Sequence, residues 1–160
     1  MLDLSQGGHV AFAHRSEFDL AQPLSVECWV RFDEPGQWSV VVSCGLWNHS
    51  GWFLQRLGNV WRWHVGGIDC DGGQPAVGQW MHVVGVYDGH AMRLFQDGVQ
   101  VAERSGLPNT AVWSGDLYIG QYVDAPGPSF QVQGRIRGVK IYHRPIDAKE
   151  AVAAAKNKPQ

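Results

Sequence analysis

The stretch WMHVVGVYDGHAMRLFQDG, Trp80 to Gly98, constrains the fold more than any other part of the chain. In its first half Val83, Gly85 and Tyr87 share one face of a strand, with His82, Val84 and Val86 on the other. Asp88-Gly89 interrupts the run, and Gly supplies the positive φ that a tight hairpin turn needs. Met92 to Gln96 reads as a second strand, and Asp97-Gly98 turns the chain again into Val99 to Ala102. The pattern predicts three antiparallel strands in a meander.

The rest of the chain extends this pattern. Leu2 to Ala13 reads as two short strands around Ser5-Gln6-Gly7-Gly8. From Leu24 to Phe32, apolar Leu24, Val26, Cys28, Val30 and Phe32 alternate with Ser25, Glu27, Trp29 and Arg31, as in a half-buried antiparallel strand. Trp38 to Cys44 is a near-continuous apolar run and suits a central strand, followed by the loop Gly45 to Gly51. Trp52 to Leu57 and Val60 to Val65 form a predicted hairpin across Gly58-Asn59. In its second strand Trp61, Trp63 and Val65 face the core, which turns Arg62 and His64 to the opposite surface. Gly66 to Gly78 reads as a long turn region in which Asp69 and Asp71 make side-chain turns.

Asp116 to Gln121 is a further strand, and Tyr122 to Ser129 a loop with two prolines. Val132 to His143 needs a bulge near Gly138 to keep one face inward. Asp147, with Glu150 three residues on, caps a short Ala-rich helix. About a dozen strands and one terminal helix predict an all-β, two-sheet antiparallel jelly-roll sandwich, with a core over about 8–146 and a helical tail over 147–158.

Composition agrees. A chain of 160 residues, 44% hydrophobic and 18% charged, can bury a sizeable core as one domain. Its 20 Gly amid short apolar runs point to many turns, hence a sandwich or barrel. A net charge of -2 supplies no field for nucleic acid, which excludes that partner class. No stretch reaches the roughly 18 apolar residues that cross a bilayer, so no membrane insertion is expected. Met1-Leu2-Asp3-Leu4 lacks the basic start and apolar run of a signal peptide. The sequence is also compatible with a domain cut from a longer secreted protein, in which case an extracellular or periplasmic location is favoured. Three Cys leave at least one unpaired within the chain, and Cys28 and Cys44 lie in apolar strands where buried thiols are expected.

Several motifs together resemble a known family. They are Leu24-Ser25-Val26-Glu27-Cys28-Trp29-Val30, Trp80-x-His82-Val83, Tyr87-Asp88-Gly89 and Leu94-Phe95-x-Asp97-Gly98. Near the end come Leu117-Tyr118-Ile119-Gly120, Phe130, and Gly134-x-Ile136-x-x-Val139-x-Ile141-Tyr142. In this order and spacing they resemble the laminin-G-like and pentraxin-like modules of the concanavalin-A-like jelly-roll class, from about Gly8 to Glu150. The resemblance implies the fold. For function it leaves lectins, glycan-binding modules, glycosidases, pentraxins and adhesion modules open. Gly120-Gln121-x-x-Asp124, with Gly127 and Phe130, is similar to the pentraxin segment that supplies calcium ligands. Tyr122 stands where that family carries Glu, and Asn48, flanked by Trp47 and His49, lies where it places an Asp-Asn pair. The resemblance therefore implies a reduced calcium site on Asp124 and Asn48 in place of a double one.

Catalytic patterns are missing from the sequence. Jelly-roll glycosidases carry two Glu with an Asp between them at alternate strand positions, and no such run occurs here; Glu27 is alone on its strand. No Cys-x-x-Cys or His-x-x-x-His spacing marks a zinc site. Aromatic residues in or beside loops are the better lead, because glycan sites set Trp and Tyr faces against sugar C–H faces. The candidate ligand-binding set is Trp47, Asn48, His49, Trp52, Arg62, His64, Trp113 and Tyr122. The expected function is non-catalytic carbohydrate binding, either calcium-assisted through Asp124 and Asn48 or with no cofactor, with a glycan or surface glycoconjugate as partner. A protein-interaction, adhesion or accessory domain of a larger secreted protein is the alternative, and a glycoside-active enzyme the third reading.

Overall fold

The structure, a computed structural model, describes residues 1–36, 38–123 and 127–160. Among them lie twelve strands: β1 (Leu2–Asp3), β2 (Val10–Phe12), β3 (Leu24–Phe32), β4 (Val40–Gly45), β5 (Gly51–Leu57) and β6 (Val60–Val65), then β7 (Ile68–Gly72), β8 (Met81–Tyr87), β9 (Ala91–Gln96), β10 (Val99–Ser105), β11 (Leu117–Ile119) and β12 (Gly134–Tyr142). One α-helix, α1 (Ala148–Ala155), follows them. The strands form two six-stranded sheets, ordered β1-β12-β3-β8-β9-β10 and β2-β11-β4-β5-β6-β7. This is the jelly-roll sandwich that the sequence predicts.

Strand alternation decides what lies between the sheets. On the first sheet Val26, Cys28, Val30, Val83, Met92 and Leu94 point inward; on the second Val42, Cys44, Trp52, Leu54, Trp61 and Trp63 meet them. All three Cys are free and buried, and burial pushes the Cys28 and Cys44 thiols up to about 12. The predicted meander is β8-β9-β10. Its second turn has Asp97 at φ 51° and Gly98 at φ 83°, the paired positive values a two-residue hairpin turn requires. The predicted bulge in β12 is present as a register shift between Arg137 and Lys140, with Gly138 at φ 63°.

Two segments differ from the reading of the sequence. The apolar run at Trp38 does not begin a strand; β4 starts at Val40, and Trp38 stands outside it, 47% exposed. A run without alternation carries no face information, so its boundary was hidden. The region read as a long turn after Gly66 contains β7, paired along β6. Ile68 and Cys70 alternate there with Asp69 and Asp71, which sit on a strand and not in side-chain turns.

The outer face of the first sheet is covered by α1, where Val84, Val86 and Phe95 pack against Ile146 and Ala151. The helix begins with a capping box: Asp147 Oδ1 accepts from Glu150 N at 2.9 Å, and Glu150 Oε2 accepts from Asp147 N at 3.1 Å. Asp147→Ala is expected to cost about 1 kcal/mol and to lower Tm by roughly 2–4 °C in a thermal melt. An unchanged melt would show that packing alone holds the helix.

Candidate functional site: an aromatic hollow on the second sheet

The same alternation that buries Trp52, Leu54, Trp61 and Trp63 turns Phe53, Gln55, Leu57 and Arg62 to the outer face of the second sheet. A hollow of about 500 Å³ opens on that face. Trp38 and Trp47, 47% and 57% exposed, form its walls, and Phe53, 1% exposed, lies at its base. Tyr122 and Phe130 enter from the segment after β11. Tyr122 meets Phe53 edge-on at 5.4 Å and 76°, and meets Phe130 at 5.4 Å and 31°, spacings that favour aromatic contact.

The polar groups of the lining are committed to holding these walls. Arg62 grips Asp71 with two parallel bonds, Nε to Oδ1 at 2.9 Å and Nη2 to Oδ2 at 2.8 Å, and its Nη1 lies 3.4 Å from Asp69 Oδ2. The hydrogen bonds that Arg62 donates to Asp71 hold its guanidinium above the usual range, outweighing burial. Trp47 is fixed twice: its indole Nε1 donates to Asp69 Oδ2 at 3.2 Å, and its backbone N donates to Tyr122 Oη at 2.7 Å. Gln55 Nε2 donates to Trp38 O at 2.9 Å.

Beside Phe53 on the neighbouring strand lies His64, stacked on it at 4.5 Å and 12° and fully buried. Its Nε2 accepts from Gly67 N at 3.2 Å, which leaves the ring proton on Nδ1 to donate to Asp69 Oδ1 at 2.6 Å. Asp69 thus ties together His64, Trp47 and Arg62. Burial pushes its carboxyl up, but those hydrogen bonds and the guanidinium outweigh it and hold the group below the usual carboxylate range.

Of the residues singled out from the sequence, Trp47, Arg62 and Tyr122 line the hollow. Trp52 does not: it is fully buried in the core, with Nε1 donating to Phe18 O at 2.7 Å, because its strand position points inward. His64 lies on the expected side but is fully buried against Phe53 and does not line the hollow. Trp113 is half-buried against the core, edge-on to His49 at 6.3 Å, and neither lines the hollow. Asn48 is exposed at φ 56°. Asp124 lies outside the described residues.

Calcium takes six to eight oxygen ligands. Among the described residues no three His, Cys, Asp or Glu side chains gather to hold a metal, and none of those lining the hollow is a carboxylate. Glu27 is remote from the site, paired with Lys140 Nζ at 2.6 Å through the opposite sheet.

Sequence reasoning missed Trp38, Phe53, Gln55, Leu57 and Phe130. The signal for three of them was present: once Trp52 and Leu54 are inward, Phe53, Gln55 and Leu57 must be outward.

Two six-stranded antiparallel sheets with an aromatic hollow on one outer face define a jelly-roll sandwich with a surface site. The chain belongs to the concanavalin A-like lectin/glucanases superfamily, its residues 4–152 matching the laminin G family within it. No curated protein sequence matches it. Among solved structures it is similar to a candidate carbohydrate-binding protein from Bacteroides ovatus, with TM-score 0.74 and 12% identity over 91% of this chain and 44% of that one. It is similar to a heptameric SAP-like pentraxin from Limulus polyphemus, with TM-score 0.69 and 16% identity over 92% and 75%. A third is botulinum neurotoxin type C, whose cell entry depends on interaction with two ganglioside molecules, with TM-score 0.68 and 12% identity over 93% and 39%. The chain thus spans less than half of the Bacteroides and toxin chains. At these identities the likeness is one of fold.

Proposed function

We propose that this chain is a non-catalytic carbohydrate-binding module whose site is the aromatic hollow. The observation that carries the reading is the pair of half-exposed indoles, Trp38 and Trp47, standing over Phe53, Tyr122 and Phe130. Large apolar rings held open to water gain roughly 25 cal/mol for each Å² they bury. The C–H face of a sugar ring can cover them while its hydroxyl rim stays hydrated, so the ligand need not find partners among groups already bonded. The carbohydrate-binding role proposed for the Bacteroides protein and the ganglioside interaction of the toxin support the same reading.

The test is a glycan array probed with calcium and again with a chelator. Binding is expected to survive the chelator and to fall about tenfold or more in Trp47→Ala, the scale of a lost aromatic anchor. Binding abolished by the chelator would instead add a metal site in which Asp124 takes part. Silence in both buffers, from protein shown to be folded, would sink the sugar reading. It would promote a protein-interaction module.

A further inference from the structure

Trp38 has two sides, and the second faces a different hollow. This one, about 380 Å³, is lined by Glu34, Ser39, Ser129, Gln131 and Gln133 together with Trp38. The segment 128–131 divides itself between the two: Phe130 lines the aromatic hollow, whereas Ser129 and Gln131 line the polar one. We propose that these hollows are adjoining subsites and that the ligand is a neutral oligosaccharide of at least two units laid across Trp38. The inference rests on the carbohydrate reading above and specifies the length and charge of the ligand.

The wall between the subsites is anchored to the second sheet. Trp38 O accepts from Gln55 Nε2 at 2.9 Å, and Phe130 O accepts from Val40 N at 2.9 Å. Phe130 N donates to Gly127 O at 3.0 Å and Gln131 N to Pro128 O at 3.3 Å, closing a turn on the other flank. Gln131 Nε2 donates to Gln121 Oε1 at 3.0 Å. A wall tied at both ends can present both of its faces at once without reorganising, which lowers the ordering cost of binding.

The two hollows differ in chemistry: the first is almost wholly apolar, whereas the second mixes polar groups with Trp38, Pro35 and Pro128. Around the aromatic one, Arg62, Trp47 and Gln55 spend their donors on the protein itself. Around the polar one, the Glu34 carboxylate, the Ser129 hydroxyl and the Gln133 amide have no partner among the described residues. Those groups together offer both donors and acceptors, the set that sugar hydroxyls require. A hydroxyl buried without a partner is costly, so the aromatic subsite takes a C–H face and the polar one reads hydroxyls. The Glu34 carboxylate forms no ion pair among the described residues, although Arg56 Nη1 donates to the Glu34 backbone O at 3.3 Å; an unpaired carboxylate in the lining disfavours a uronic or sulfated unit there.

The experiment is a length series. Gluco-, manno- and galacto-configured oligosaccharides of one to four units, with their uronic-acid counterparts, are titrated by calorimetry into wild type, Glu34→Gln, Gln133→Ala and Trp47→Ala. All variants are first shown to melt cooperatively. In the preferred series, two units are expected to bind at least tenfold more tightly than one. Gln133→Ala and Glu34→Gln should each erase a threefold to tenfold part of that step. Trp47→Ala should weaken every length, and Glu34→Gln should narrow the gap between neutral and uronic chains. Equal affinity for one and two units, or a step that persists in both polar variants, overturns the two-subsite inference while the sugar reading stands. No binding at any length overturns both.

Discussion

Gly85→Ala is expected to destabilise the protein substantially and Trp63→Ala more so, yet the double variant should cost less than the two added together. Gly85 sits on β8 between Val26 of β3 and Leu94 of β9, with its Cα facing the second sheet. A methyl placed there would lie 2.4, 2.6 and 2.8 Å from Cδ2, Cε3 and Cε2 of Trp63. That ring has no room to retreat: it is fully buried, its Nε1 donates to Val86 O at 3.1 Å, and Trp52 packs 5.8 Å away. Overpacking of this kind costs about 1–3 kcal/mol or more. The stiffer unfolded chain returns only about 0.4–1 kcal/mol. Removing the indole leaves a cavity worth about 3–5 kcal/mol, against a total stability of about 5–15 kcal/mol. Because Trp63→Ala also removes the atoms that the new methyl strikes, the pair should couple by about 1–3 kcal/mol. Urea unfolding of the four proteins measures this, and strictly additive costs would show that the sheets separate to absorb the methyl.

The same contact shows what was readable in the sequence. Alternation placed Val83, Gly85 and Tyr87 on one face of β8, and Trp61, Trp63 and Val65 on one face of β6, and both face the core. That Gly85 exists to admit Trp63 from the facing sheet could not be read, because period-two patterning fixes faces but not which residues meet across the sandwich. The site was legible to the same extent. Trp47, Arg62 and Tyr122 were found because each sits in a loop or opposite a core face. Trp38 opens an unbroken apolar run and so reads as a strand residue, and Phe130 reads only as part of a family motif. Trp52 opens a strand directly beside the loop Gly45 to Gly51, which makes exposure plausible from sequence, whereas its register opposite Val65 turns it inward. Asp69 reads as a turn former, and only the pairing of β7 with β6 brings it against His64.

Asp69→Ala is expected to act on the site without touching the ligand. Asp69 does not line the aromatic hollow, yet its carboxylate holds the indole of Trp47 through Oδ2 and receives the proton of the fully buried His64 on Oδ1. Truncation leaves the His64 donor without an acceptor in the interior, a penalty of about 1–3 kcal/mol. It also frees the Trp47 indole, while Arg62 keeps both bonds to Asp71. The Trp47 indole proton, assigned in a spectrum by its loss in Trp47→Ala, should therefore exchange faster with solvent in Asp69→Ala. Asp69→Asn separates charge from shape, and pH supplies its signature. Since the folded carboxyl lies below its ordinary value of 3.8, the stability it contributes is complete above that value and is lost as pH falls through the lower, folded one. Asp3, Asp88 and Glu150 are depressed as well, so acid melting of the wild type alone cannot isolate the effect. The difference between wild type and Asp69→Asn can: it should be constant above about pH 5 and shrink as pH falls below the ordinary carboxylate range. A difference that does not narrow in acid would mean that the amide fails for reasons of shape, and that the charge of Asp69 has no part in holding Trp47 over the hollow.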